Sequence, residues 1–189
     1  MQGKFGATSN TPDNLLLDAG VIYKDYVDSS TLGTLLGATR GGVDWTLGRN
    51  MRDIEFDGAM GPTKGMKRRE TIEPTLSASL LEMTPENLLM AIAGGNSETV
   101  ATNTVITGGE LEDADYIGNI TYLGTISGSA EPVRITLKNV LVQGDWSVSS
   151  EHQNEAVLPV TFAAHFDLDD LDEDGNFKEP WEIEIGGTI

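Results

Sequence analysis

Strict alternation of apolar and small polar residues in TIEPTLSASLLEM, residues 71–83, limits the possible folds of this chain more than any other feature. The apolar set is Leu76, Ala78 and Leu80, and the polar set is Thr75, Ser77 and Ser79. Successive side chains of a β-strand point to opposite faces, so this pattern predicts a strand with one buried and one wetter face. Pro74 cannot donate a ladder hydrogen bond and therefore predicts a strand start or an edge at that point.

Residues 43–57 show the same alternation and predict a second long strand. The first part has Val43, Trp45 and Leu47 on one face and Asp44 and Thr46 on the other. A second alternating piece follows, with Ile54 and Phe56 opposite acidic residues at 53, 55 and 57. We expect the strands over 43–57 and 71–83 to be joined by the residues between them.

A single short helix is predicted at about 84–94, in the stretch TPENLLMAIAGG. Thr84 is suited to the N-cap and Pro85 to the first helical position, where its missing N–H costs nothing. Two glycines at 94 and 95 predict the end of the helix. The apolar residues at helical spacing, which we expect on its buried face, are Leu88, Leu89 and Ile92.

The remaining pattern predicts a mainly β protein. Strand-like segments follow at 101–108, 116–126, 133–149, 156–167 and 180–187. Together with 22 glycines for turns, they indicate eight or nine strands in one β-sandwich or β-barrel domain over 1–189, with one docked helix. The polar start, residues 1–13, is expected to be a flexible arm. No cysteine is present, which excludes disulfides and thiolate sites, and no apolar run approaches the roughly 20 residues of a membrane helix, so we expect no membrane insertion.

Charge is distributed very unevenly along the chain. Residues 1–69 carry 9 basic and 8 acidic residues, a balance of +1, whereas residues 70–189 carry 3 basic and 22 acidic residues, a balance of −19. Such an acidic surface repels phosphate, so gripping nucleic acid is disfavoured, since that function needs a broad basic face.

A third of the basic side chains lie in GAMGPTKGMKRRE, residues 58–70: Lys64, Lys67, Arg68 and Arg69. We expect a protruding loop between the two long strands, and a connection of this length is usually functional or mobile. Three interpretations stay open: a solvated loop, a phosphate site, and attraction to the acidic remainder of another copy of the chain.

Metal-binding patterns are weak. The stretch DLDEDG, residues 170–175, spaces Asp170, Asp172 and Asp174 as at the start of a calcium loop. The twelfth loop position would be Trp181 instead of a glutamate, so a solvated acidic turn is the simpler interpretation.

Patterns for catalysis and stacking are also weak. The two histidines, His152 and His165, stand in no motif that supplies a nucleophile and an orienting partner, so an enzyme is not predicted. Three tryptophans, Trp45, Trp146 and Trp181, are suited either to stacking on a sugar or to anchoring a core, and the alternation around them favours anchoring.

Residues 37–95, from GATRGGVDWTLGRNMRDIEFDG to LLMAIAGG, resemble the major tail tube proteins of tailed bacteriophages, above all the long non-contractile type. The matching features are GATRGG before the first long strand, RDIEFDG at 52–58, Lys64-Gly followed by basic residues, and the passage from Leu80 into the short helix. The later segments AVLPVTFAAHFD and PWEIEI are similar to the closing strands of that family, which is related to the tube proteins of contractile tails and of type VI secretion.

The resemblance implies a structural virion protein. Members of the family form hexameric rings in which each sheet contributes strands to one barrel around a lumen, and the rings stack into the tube through which DNA leaves the capsid. The implied partners are other copies of the chain, a tape-measure protein in the lumen, tail terminator and distal tail or baseplate proteins, and DNA as transient cargo, with no cofactor. The implied location is the virion tail, assembled in the cytoplasm of the host bacterium.

Expected residue positions follow from the resemblance. The subunit-interface residues would be Lys64, Lys67, Arg68 and Arg69. The lumen would be lined by Thr75, Ser77 and Ser79, bounded by Glu73 and Glu82, so that negative charge lets DNA slide without being trapped. An alternative is a monomeric acidic β-sandwich that binds calcium or carbohydrate through the 167–175 turn and the tryptophans.

Overall fold

A computed structural model describes residues 6–127, 132–152 and 154–186. Within them the chain forms eleven strands and one α-helix, so the predicted mainly β class with one short helix is confirmed. The strands are β1 (Leu16–Lys24), β2 (Thr34–Leu35), β3 (Thr39–Asp53), β4 (Lys67–Leu80), β5 (Gly95–Val100), β6 (Asn103–Gly108), β7 (Ile117–Ile126), β8 (Pro132–Gln143), β9 (Ser149–Glu151), β10 (Asn154–Ala164) and β11 (Trp181–Ile185), and the helix is α1 (Pro85–Ile92).

Nine strands form one antiparallel sheet in the order β2-β1-β7-β8-β10-β4-β3. Two strands branch from this path, since β11 pairs with the first half of β8 and β9 pairs with the start of β10. The sheet is curled, because β1 and β3, near its opposite ends, contact each other. Strands β5 and β6 form a separate hairpin that contacts α1.

One core cluster lies inside the curl and draws side chains from β1, β4, β7, β8, β10 and α1. Its fully buried members include Ile22, Leu76, Leu80, Ile120, Leu137, Leu158 and Phe162. Each such side chain contributes about 1.5–3 kcal/mol through removal of apolar surface from water. The tryptophan pair Trp45 and Trp181 packs at the margin of this core with ring centroids 5.7 Å apart.

The alternation in β4 is confirmed. Leu76, Ala78 and Leu80 are buried, whereas Thr75, Ser77 and Ser79 are partly exposed on the opposite face. On this face a hydrogen bond of 3.0 Å between the hydroxyls of Ser77 and Thr161 links β4 to β10. In β3, Val43 and Trp45 pack against the core while Asp44 and Thr46 are exposed, again as predicted.

The boundaries of the two long strands differ from the prediction. Strand β3 ends at Asp53, so Ile54 and Phe56 lie in a loop, and β4 begins four residues earlier than expected, at Lys67. The cross-strand pairs Met51↔Arg69, Arg52↔Arg68 and Asp53↔Lys67 extend the ladder into the expected loop. The connection is therefore 54–66, because ladder hydrogen bonds outweigh the turn signals near Gly65.

Helix α1 has the predicted cap, and its predicted apolar stripe is half-buried. The backbone N–H of Asn87 donates to Thr84 Oγ1 at 3.2 Å, and Ala93 and Gly94 end the helix with positive φ. The buried helical residues are Asn87 and Ala91, while Leu89 and Ile92 are half-buried and contact Gly95 at the start of β5. Leu88 packs against the core, as the predicted stripe requires, whereas Leu89 and Ile92 lie beside the β5–β6 hairpin.

Asn87 fastens the helix to two loops. Its buried amide nitrogen donates to the carbonyl oxygens of Leu36, at 3.0 Å, and Glu82, at 2.9 Å. These bonds join the start of α1 to the segments before β3 and after β4, so a residue that looks polar and exposed in the sequence is a tertiary link.

The expected N-terminal arm is attached to the sheet where it is described. Residues 1–5 lie outside the described residues, Thr11–Asp13 form a 3₁₀ turn, and the carbonyl of Pro12 accepts a hydrogen bond from the hydroxyl of Ser127.

Replacing Asn87 by Ala should lower the free energy of unfolding by about 1–3 kcal/mol, because the buried carbonyl of Leu36 and the part-buried carbonyl of Glu82 lose their donor. Urea denaturation followed by circular dichroism measures the change. The matched control is Asn103→Ala on exposed β6, which should change stability by less than about 0.5 kcal/mol. Equal, small effects of both substitutions would refute the assigned role of Asn87.

Candidate assembly interface

The outer part of the β3–β4 ladder extends past the rest of the sheet. Strand β10 pairs with β4 only from Thr75 to Leu80, whereas β3 stays paired with β4 down to Lys67. Pro74 stands where the pairing with β10 ends, and proline has no N–H to offer a further strand. At about 3.3 Å per residue, the eight residues from Lys67 to Pro74 carry the hairpin roughly 25 Å beyond that point. We call residues 49–69, the outer end of this hairpin, the hairpin tip.

The loop of the hairpin tip is closed at its base and exposes apolar side chains. The N–H of Ile54 donates to the carbonyl of Met66 at 2.7 Å, which continues the ladder by one step. Beyond it, Met60 is fully exposed and Phe56 is half exposed. An isolated exposed apolar residue needs no explanation, but several on one protruding loop indicate a contact surface.

The four predicted interface cations do not have the same environment. Lys67 forms an ion pair with Asp53 across the ladder at 3.4 Å, and Arg69 forms one with Glu179 at 2.6 Å. Arg68 donates to the carbonyls of Gly65 and Lys67 and has no carboxylate partner among the described residues. Lys64 has no ion pair within that part of the chain either.

Two arginines face each other across the hairpin tip. Arg52 and Arg68 are direct partners in the ladder, an arrangement that is normally destabilising. Arg52 is compensated by Glu70, whose carboxylate lies 2.9 Å from its Nε atom. Arg68 keeps its charge without such compensation, so the tip holds positive charge that local stability does not require.

The predicted polar face is present on the sheet, with one exception. Glu73 lies on β4 at the spacing of Thr75, Ser77 and Ser79, and it is exposed. Glu82 instead lies beyond the end of β4, and its carboxylate accepts a hydrogen bond from the N–H of Ala38 at 3.1 Å. It therefore supports the loop before β3 and does not extend the strand face. Gly37 makes this approach possible, since a Cβ there would lie 2.5 Å from the Glu82 carboxyl carbon.

The carboxylates of the acidic turn are used in different ways. Asp172 accepts hydrogen bonds from the backbone N–H groups of Asn176, at 2.8 Å, and Asp174, at 3.0 Å, and these bonds hold the pKa of its carboxyl below the ordinary value of 3.8. Asp170 pairs with Lys178 at 2.5 Å. Among the described residues no group of three or more acidic or histidine side chains is gathered to hold a metal ion. The geometry thus gives no support to a calcium site at Asp170, Asp172 and Asp174.

The histidine and tryptophan side chains that were candidates for catalysis or sugar stacking pack against other parts of the fold where their contacts are described. His165 packs edge-on against Tyr116, with ring centroids 5.2 Å apart, and its Nδ1 atom is 3.1 Å from the carbonyl of Asn139. Trp45 and Trp181 pack at the core, while Trp146 lies half exposed between β8 and β9. The predicted continuous strand over 133–149 is instead two strands, because β8 ends at Gln143 and β9 begins at Ser149.

Several tertiary links could not be read from the sequence. Arg40 binds Asn154 and Glu155 on β10, and Arg69 binds Glu179 ahead of β11. Each link joins residues more than 100 positions apart in surroundings full of other carboxylates, so no local signal selects the partner.

No protein-family model matches this chain, and no curated protein matches its sequence. No helix of the described residues is long and apolar enough to cross a membrane.

The acidic turn should show a pH response centred on Asp172. Because N–H donors favour its ionised form, their support for the native turn is complete above pH 3.8 and is lost as the pH falls through the lowered pKa. In an NMR titration the midpoint of the Asp172 carboxyl should lie below the ordinary value of 3.8, and the Asn176 amide shift should follow it. Asp172→Ala should abolish this response and Asp174→Ala should leave it. A higher midpoint for Asp172 would contradict the assignment.

Proposed function

We propose that this protein is a structural subunit that assembles with copies of itself into stacked rings, which form the tail tube of a bacteriophage and conduct its DNA. The proposal starts from the resemblance of residues 37–95 to tail tube proteins and names hexameric rings as the unit. The observation that carries it is the β3–β4 hairpin, which extends past its own sheet with exposed apolar and cationic side chains.

A protruding hairpin of this kind is costly for a protein that works alone. From Lys67 to Thr71 every residue is exposed, and a two-stranded ladder without a packed face is marginally stable in water. A second copy that covers the ladder would remove this cost. The hairpin therefore fits a subunit whose surface is completed by its neighbours.

The outer edge of β3 supports ring formation. Strand β3 is 15 residues long and ends the sheet path, with β4 as its one ladder partner among the described residues. Open edges invite pairing with another chain, and closure of a ring removes them. We propose that edge pairing between protomers joins their sheets around the lumen.

The polar face supports a DNA conduit. Glu73, Thr75, Ser77 and Ser79 line β4 on the face away from the core, and Asp44 and Thr46 on β3 extend that face. Short hydroxyl side chains and carboxylates offer DNA no cationic contact, so phosphates are repelled and the polymer passes without binding. We propose that this face lines the lumen, with the tape-measure protein occupying it before DNA does.

The test is to purify the chain and measure its size across concentrations by sedimentation, with negative-stain microscopy of the same samples. Six-fold rings or rods of constant width are expected. A monomer at every concentration would contradict the proposal, and a monomer that binds calcium or a sugar would favour the alternative function.

Shortening the hairpin loop should abolish rods without unfolding the subunit. The variant replaces Glu55–Gly65 with Asn-Gly, a two-residue turn that keeps the Ile54–Met66 step of the ladder. Circular dichroism and the thermal midpoint should match the original chain, because the removed loop contributes no residue to the core. Rods of normal length from the shortened variant would refute a role for the loop in stacking.

A further inference from the structure

A second exposed surface on the chain has the opposite charge to the hairpin tip. Residues 166–177, which we call the acceptor surface, hold six acidic residues and no basic one. Four large apolar side chains are exposed among these carboxylates: Phe166, Leu168, Leu171 and Phe177. Exposure of apolar side chains to water is unfavourable, and an exposed apolar patch of this kind indicates a binding surface.

The hairpin tip is the matching surface. Residues 49–69 hold six basic and three acidic residues, a balance of +3, so the rest of the chain has a net charge of −18 − 3 = −21. Its exposed apolar side chains include Phe56 and Met60. The two surfaces therefore combine exposed apolar groups with opposite charge, the combination that gives both burial and electrostatic complementarity at an interface.

The two surfaces do not cover each other within one chain. Met60 in the hairpin tip, 106% exposed, and Leu168 in the acceptor surface, 78% exposed, are the two most exposed large apolar side chains of the described residues. A contact between the surfaces would bury both. The partner that fits each surface must come from another molecule, and a second copy supplies both surfaces.

We infer that the hairpin tip of one copy docks on the acceptor surface of the next. This inference rests on the proposed self-assembly and names the surface that receives the tip. Because donor and acceptor are different patches, each copy gives one contact and accepts one, and repetition of this contact from copy to copy makes an open stack or a closed ring.

Contacts within the acceptor surface hold it in one conformation before any partner binds. A β-bridge joins Leu171 to Phe177, the N–H of Gly175 donates to the carbonyl of Asp172 at 3.0 Å, and the rings of Phe166 and Phe177 lie 6.2 Å apart. A surface ordered in advance loses less conformational entropy on binding.

Several charged side chains of the two surfaces form no hydrogen bond to a charged group and no ion pair within the described residues, so they are available to a partner. Asp170 and Asp172 are engaged within the turn, whereas the side chains of Asp169, Glu173 and Asp174 accept no hydrogen bond and form no ion pair among the described residues. On the hairpin tip, Lys64 and Arg68 likewise lack a carboxylate partner within that part of the chain. We expect these cations and these carboxylates to face each other across the interface.

Charge reversal with complementation tests the assignment. Lys64→Glu with Arg68→Glu lowers the charge of the hairpin tip from +3 to −1, and Glu173→Lys with Asp174→Lys raises that of the acceptor surface from −6 to −2. Each variant alone therefore brings side chains of like charge together at the proposed contact. Neither should form rods alone. A 1:1 mixture should form rods in which the two variants alternate, and a chain with all four substitutions, whose net charge equals that of the original, should form rods alone.

The matched control is Glu110→Lys with Asp113→Lys, two exposed acidic residues outside the acceptor surface that change the net charge by the same amount. This control should form rods alone and should not rescue the Lys64→Glu, Arg68→Glu chain. If the original chain forms rods but neither the mixture nor the fourfold variant does, the acceptor surface lies elsewhere on the chain. That result would overturn the inference and leave the proposed function intact. Normal rods from either single-surface variant would also overturn the inference, and an original chain that never assembles would overturn the proposed function itself.

The apolar part of the interface should show energetic coupling. Met60→Ser and Leu168→Ser should each raise the critical concentration for rod formation at least tenfold, as measured by sedimentation. The double variant should be little worse than either single one, because both substitutions disrupt the same contact. Val27→Ser, at an exposed site outside both surfaces, is the control and should leave the critical concentration unchanged. Additive effects of the two substitutions would show that Met60 and Leu168 do not meet.

Discussion

The β3–β4 ladder is the contact on which the rest of the structure depends. Its inner half carries Leu76 and Leu80 into the core and joins β10 through the Ser77–Thr161 hydrogen bond. Its outer part, from Lys67 to Thr71, is exposed and has no third strand beside it among the described residues. The same ladder thus anchors the domain and, beyond a register shift between Asn50 and Met51, projects the surface that we propose to be an assembly contact.

Stability and recognition are supplied by different parts of the chain. The apolar core stabilises the fold, whereas the ion pairs of the hairpin are partly exposed and contribute about 0–1 kcal/mol each. Charged side chains near the tip can therefore serve an interface without endangering the subunit. The opposed Arg52 and Arg68 fit this division, because natural sequences break local rules mainly at functional sites.

Opposite surface charges on one chain also suit the lumen that we propose. Positive charge is concentrated at the hairpin tip, where it can be neutralised by carboxylates of another copy, and the polar sheet face has acidic and hydroxyl side chains. Assembly would then leave the interior without exposed cations. DNA could be conducted through such a tube with little retention, since phosphates bind chiefly to lysine and arginine.

The sequence by itself determined the class of fold, the two faces of β4, and the cap and end of α1, because these depend on period-two alternation and on the chemistry of threonine, proline and glycine at helix ends. It also exposed the uneven distribution of charge. Only the tertiary structure decided that the ladder continues to Lys67, that Asn87 is buried, and that Glu82 supports the loop before β3. These features depend on partners distant in the chain, and a choice among many similar carboxylates and carbonyls is made by three-dimensional packing, which local patterns do not encode.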